Sequence, residues 1–215
     1  MGIFDKLKND HSLRVWNNKG IALADLGKYE EAMKCYDKAL EINSKILVVW
    51  DNKGIALSKW GKYEEAMKCF DEAIKINPED DGVLYNKGIV FRDLGNFEDA
   101  IIWYDKALEI NSNKYLPWWG KGFAFFRIGN LEEAVKCYDK ALEINSKIFD
   151  VWNSKGIVLH ELGKYEEAIQ CCDKALKINS KNFDVWNNKG IALSNLGEEV
   201  KAEECFIKAK EFEKK

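Results

Sequence analysis

The chain has 215 residues, 47% of them hydrophobic, and sets 33 basic against 36 acidic side chains for a formal net charge of −3. Charges balanced and spread this evenly exclude the basic footprint of a nucleic-acid binder, and no stretch reaches the ~18 apolar residues that a membrane-crossing helix needs. The opening MGIFDKLKND lacks the apolar core of a secretion signal, and Lys6 stands where a myristoylation motif has Ser or Thr, so a cytoplasmic location is expected.

Residues 1–12 read as an N-terminal segment, with Ile3, Phe4 and Leu7 at helical spacing as a candidate cap. From Leu13 onward the sequence is periodic. Trp16, Trp50, Trp118, Trp152 and Trp186 lie on one grid of 34 residues, with Leu84 at the vacant point. A fixed period of this kind means a repeat array. The units are 13–46, 47–80, 81–114, 115–148, 149–182 and 183–215, forming a single array over 13–215.

Each unit holds two apolar patterns of helical period. In the first unit Trp16, Gly20 and Leu23 share one face, and Gly27 then interrupts as a helix-terminating glycine does. Tyr29, Ala32, Tyr36, Ala39 and Leu40 line the second pattern, with Glu30 and Glu31 in its first turn, where they complement the helix dipole. Helix, tight turn, helix follows for every unit, so the chain is all-α with about twelve helices. Glycine within a helix is disfavoured by about 1 kcal/mol, so the invariant column Gly20, Gly54, Gly88, Gly122, Gly156, Gly190 implies close approach of a neighbouring group. Large aromatics, the tryptophans among them, are expected to pack into that column and into the alanine columns.

Five of the six cysteines (Cys35, Cys69, Cys137, Cys171, Cys205) share one repeat position. Equivalent positions in stacked helices lie about 8–10 Å apart, beyond the Cα separation of about 7 Å that a disulfide tolerates. They are expected to be buried, free thiols. His11 and His160 are isolated, and no phosphate loop or nucleophile–base pairing occurs. No metal, cofactor or enzymatic activity is expected.

Trp16, Gly20, Leu23, Gly27, Tyr29, Ala32, Tyr36 and Ala39, repeated in register, resemble the signature of the tetratricopeptide repeat (TPR) over residues 13–215. The resemblance implies a right-handed α–α superhelix with a concave groove that binds peptides or proteins. Lysine departs from the family's usual leucine before each glycine, at Lys19, Lys53, Lys87, Lys121, Lys155 and Lys189. Angular placement puts this column beside the Trp face, where Asp37, Asp71, Asp105, Asp139 and Asp173 are the expected partners.

In a repeat protein the shared residues build the scaffold, and function is sought where one face varies. The face of each first helix opposite the Trp–Gly side carries all three arginines of the chain, Arg14, Arg92 and Arg127. Tyr85, Ile89, Trp119, Phe123 and Phe126 join Arg92 and Arg127 on it in the third and fourth repeats, and His160 follows in the fifth. Arginine forks and aromatics together have the composition of an interaction hot spot. Repacking of drifted repeats is the competing reading. The apolar run Ile21, Ile55, Ile89, Phe123, Ile157, Ile191 occupies the place where chaperone-binding members of the family have a clamp asparagine, which excludes that use. The expected function is a scaffold binding a peptide or protein segment in the groove. The alternative is self-association, giving a homo-oligomer through the array ends and the last helix, with Phe206 and Phe212.

Overall fold

The computed structural model describes residues 3–213, with side chains described from Asn9 onward; Ile3, Phe4 and Leu7, the candidate cap residues, lie outside the described side chains. Every regular element among the described residues is a helix: α1 Ile3–Asp25, α2 Tyr29–Ile42, α3 Leu47–Lys59, α4 Tyr63–Ile76, α5 Asp81–Asp93, α6 Phe97–Ile110, α7 Tyr115–Arg127, α8 Leu131–Ile144, α9 Phe149–Glu161, α10 Tyr165–Ile178, α11 Phe183–Asn195 and α12 Glu199–Glu211. The helices pair as six hairpins, one per sequence repeat, and divide between two units, the chain passing from the first to the second after Asn111. Within each unit a hairpin packs its second helix on the first helix of the next.

The turn inside each hairpin follows from one glycine. Gly27, at φ 73°, occupies the left-handed region, and the chain closes by Lys28 N donating to Leu23 O at 2.9 Å and Gly27 N to Ala24 O at 2.9 Å. That is the Schellman pattern, which a β-carbon would strain. The turn between hairpins has a different device. Asn43 Oδ1 accepts from Lys45 N at 2.9 Å, while the indole Nε1 of Trp50 donates to Ser44 O at 2.8 Å. Trp118, Trp152 and Trp186 hold Ser112 O, Ser146 O and Ser180 O in the same way. Four tryptophans of the grid therefore anchor their hairpins to the turn before as well as filling the core.

The rings that face the glycine column come from elsewhere. A β-carbon on Gly20 would stand 2.6 Å from the Tyr36 ring, and Gly54, Gly88, Gly122 and Gly190 face Phe70, Tyr104, Tyr138 and Phe206 in the same way. The expected packing of tryptophan into glycine is thus replaced by an aromatic of the second helix, lodged under the first. Tyr36, Phe70, Tyr104 and Tyr138 are almost wholly buried, and burial pushes the Tyr36 phenol up to about 12.

All six cysteines are buried and free. Burial pushes the Cys69 and Cys171 thiols up to about 11, so they act as small apolar side chains and not as nucleophiles.

The vacant point of the grid is compensated. Leu84 is buried where other repeats have tryptophan, and Trp103, at the cysteine position of α6, supplies the missing indole. Lys87 and Lys106 place their ammonium groups 4.1 and 4.0 Å from its centroid, as Lys19 and Lys38 do at 5.5 and 4.2 Å over Trp16. The break in the grid is an exchange of large and small residues between two packed helices.

Candidate functional site

The lysine column meets its carboxylates across repeats. Lys53 Nζ lies 2.6 Å from Asp37 Oδ1 and Lys87 Nζ 2.5 Å from Asp71 in the first unit; Lys155–Asp139 and Lys189–Asp173 repeat the contact at 2.5 and 2.6 Å in the second. These cations are committed to the Trp face of their helices. The opposite face is left to other groups.

A second ladder runs along that opposite face, and sequence reading missed it. Asn52 Nδ2 donates to Asn17 Oδ1 at 3.1 Å, and Asn86 Nδ2 to Asp51 Oδ1 at 2.9 Å. In the second unit Trp119 Nε1 donates to Ser154 Oγ at 3.3 Å and Asn188 Nδ2 to Asn153 Oδ1 at 3.5 Å. Each bond joins first helices of consecutive repeats through residues 35 apart. The signal was present as the recurring Asn after the Trp position, which polar patterning alone reads as solvated surface.

Asp51 is the one carboxylate in this ladder. Burial raises its pKa, the hydrogen bond from Asn86 opposes that, and Asp80 adds to it. A raised folded pKa means that the native state keeps its proton longer than the unfolded chain. Stability therefore falls as pH rises from the unfolded value near 3.8 through the folded one, and is lowest above both. Asp51→Asn, which copies Asn17 and Asn153 at the same repeat position, is expected to gain roughly 0.5–1 kcal/mol at neutral pH. Urea midpoints at pH 4 and pH 7 check this: the gain must be larger at pH 7.

The residues singled out from sequence fall into two groups. In the first unit Arg14 is exposed on α1. Tyr85, Ile89 and Arg92 are half-buried on α5; the Tyr85 ring packs 5.7 Å from Tyr104, and the Arg92 guanidinium donates to its neighbour Asp93 at 2.9 Å from Nε and 2.7 Å from the terminal nitrogen. That fork is turned along its own helix and is partly satisfied there.

In the second unit Trp119, Phe123, Phe126 and Arg127 lie on α7. Trp119 and Phe126 pack against the buried cluster around Ala134, Tyr138 and Val158, so part of this aromatic group serves the core. Phe123 is half-buried, and the exposed Arg127 guanidinium carbon stands 5.7 Å from its ring centroid. His160 on α9 contacts Asn195 at 2.8 Å and packs 5.3 Å from the Tyr165 ring. On α12, Ala202, Cys205 and Ala209 are buried against α11, and the Phe206 ring lies under Gly190. Phe206 is thus a core residue of its own repeat, while Phe212 is half-buried at the end of α12.

A family model for the tetratricopeptide repeat matches residues 13–46, 49–80, 83–114 and 149–182, and further TPR models match 122–163 and 171–204. The chain belongs to the tetratricopeptide repeat family. As a TPR protein it shares its fold with PilF of Pseudomonas aeruginosa, at 16% identity and TM-score 0.82 over 95% of this chain and 98% of that one. MamA from Desulfovibrio magneticus RS-1 superposes with TM-score 0.72 at 20% identity, over 78% of this chain and 94% of its own. YrrB, described as a TPR protein with an unusual peptide-binding site, does so with TM-score 0.70 at 20% identity, over 83% and 92%. No curated protein sequence matches the chain. As in this family generally, the architecture is that of a protein-interaction scaffold.

Proposed function

We propose that this TPR protein is a cytoplasmic, non-catalytic scaffold that binds a peptide segment along the face its first helices present away from the Trp side. The observation that carries the reading is the exposed Arg127 beside the Phe123 ring on α7. Arginine against an aromatic, half in solvent, is pre-organised for a partner carboxylate and an apolar side chain at once. In the first unit Arg92, with Tyr85 and Ile89, is the corresponding group, and Arg14 a further cation on the same face. The fold shared with YrrB, itself described as having a peptide-binding site, is consistent with this use. A polypeptide is favoured over nucleic acid by the even charge balance.

A random peptide library displayed on phage and selected on the whole chain supplies the ligand for a test. Arg127→Ala and Phe123→Ala are each expected to weaken the selected peptide about tenfold, or about 1.4 kcal/mol, with the thermal midpoint little changed. Trp119→Ala is expected to lower both binding and stability, because its ring also serves the core. Selected peptides that bind the Arg127 and Phe123 variants as tightly as the parent would remove this reading.

Self-association is a second reading. It is favoured by Val200 and Ile207 on α12, exposed at 77% and 52%. A strictly monomeric species in light scattering at every concentration would dispose of it.

A further inference from the structure

Five of the six repeats place an aromatic ring under their glycine, with ring atoms 2.5–2.7 Å from where a β-carbon would stand. The fifth repeat has Cys172 instead. The atoms nearest to a β-carbon on Gly156 would be Cys171 Cβ at 3.3 Å, Ala168 O at 3.5 Å and Cys172 Sγ at 3.7 Å. The space that a ring fills elsewhere is here a cavity of about 80 Å³, open on the side away from the Trp face.

Gly156 and Cys172 form its floor, Ile157 and Ile191 its walls, and His160 and Glu161 part of its rim. The floor is apolar in charge as well as in shape, since burial pushes the Cys172 thiol up to about 12. His160 is held aside by Asn195 and Tyr165. Glu161 is exposed at the rim, Asp150 and Asp184 are exposed in the first turns of α9 and α11, and none of the three forms an ion pair among the described residues. The lysines of the same two helices, Lys155 and Lys189, are turned to Asp139 and Asp173 on the other face. The rim therefore carries the carboxylate of Glu161, with the lysines of α9 and α11 engaged on the other face. The cavity volume is about half of the ~150 Å³ that admits benzene, which suits a branched aliphatic group better than a ring.

We propose that this cavity is a side-chain pocket of the second unit that takes a leucine of a partner peptide whose next residue is basic. The proposal rests on the peptide-scaffold reading and names the partner chemistry for α9 and α11.

The test uses the capped dipeptide Ac-Leu-Lys-NH2 as probe in two-dimensional amide NMR of the full chain. Saturable shifts are expected at the amides of Gly156, Ile157 and Ile191. Ac-Leu-Glu-NH2 is expected to bind about threefold more weakly, as an exposed charge pair allows, and Ac-Ser-Lys-NH2 to give no saturable shift. Cys172→Phe, whose ring fills the space as Phe206 does in the next repeat, is expected to abolish the shifts; Cys172→Leu fills the floor more gently and is expected to do the same. Absence of saturable shifts at these amides, or their persistence in both variants, would overturn the pocket. So would tighter binding of Ac-Phe-Lys-NH2. The two readings separate cleanly: a lost pocket with phage peptides still dependent on Phe123 and Arg127 leaves the scaffold reading standing. Intact dipeptide shifts without that dependence would remove the scaffold reading alone.

Discussion

Replacing Gly122 by alanine is expected to destabilise the second unit by about 2 kcal/mol, the balance of overpacking against helix propensity, while the same substitution at Gly156 is expected to be neutral or mildly stabilising. Both glycines sit mid-helix at the same repeat position, one in α7 and one in α9, and alanine favours a helix over glycine by about 1 kcal/mol at either. The difference lies in what the new methyl group meets. At Gly122 it would stand 2.7 Å from Tyr138 Cε1, 2.8 Å from Cδ1 and 3.2 Å from the backbone oxygen of Ala134. The Tyr138 ring is itself wholly buried and has nowhere to retreat, so the helices must part, losing contacts along both. At Gly156 the nearest atom is a β-carbon at 3.3 Å, and a small shift of Cys171 relieves it. Urea denaturation followed by tryptophan fluorescence distinguishes the two variants. Equal destabilisation by both would mean that the glycine column answers to something other than the aromatic beneath it.

That column also marks how far the sequence could be read. The 34-residue period, the hairpin within each unit, the terminating glycine and the Lys–Asp pairing across repeats are all set by local rules. Helical periodicity, left-handed turn geometry and charge at a fixed angular offset each leave a trace in one repeat that five others multiply. What repetition does not encode is which of two neighbouring columns touches a third. Trp50 and Phe70 are both large, and only the three-dimensional packing assigns Gly54 to Phe70 and the Trp50 indole to the preceding turn. The exchange of Trp103 for the missing tryptophan at Leu84 was hidden for the same reason. Its two halves lie on different helices and read, one at a time, as unrelated departures.

The candidate site was legible only in part. The varied face, its arginines and its aromatics stood out by composition, but composition does not separate a ring that serves the core from one that meets solvent. Trp119 and Phe126 do the former at least in part, and Phe123 with Arg127 the latter. The Asn ladder was overlooked because asparagine on a polar face is expected to meet water. Its function is visible only when the residue 35 positions away is found beside it. Cys172 is a small buried core residue like the other cysteines, although its importance lies in the ring that it replaces.

Cys172→Phe is accordingly expected to raise stability, by about 2 kcal/mol, the scale of reversing part of a large-to-small core substitution. The fifth repeat already carries the glycine that a ring requires, and Phe70 under Gly54 and Phe206 under Gly190 supply the geometry without a hydroxyl to satisfy. Filling a preformed cavity in this way adds contacts and removes little conformational freedom, which is the usual route to a stabilised variant. A thermal midpoint several degrees higher in calorimetry is the expected readout. An unchanged or lower midpoint would mean that α9 and α10 have closed upon the smaller side chain and that no ring-sized space remains. If the pocket proposed for leucine is right, this more stable variant is also the one that loses the dipeptide. A stability gained together with a binding lost would locate the cost of recognition in one side chain: a ring withheld from the core of a single repeat, so that a partner's side chain can stand in its place.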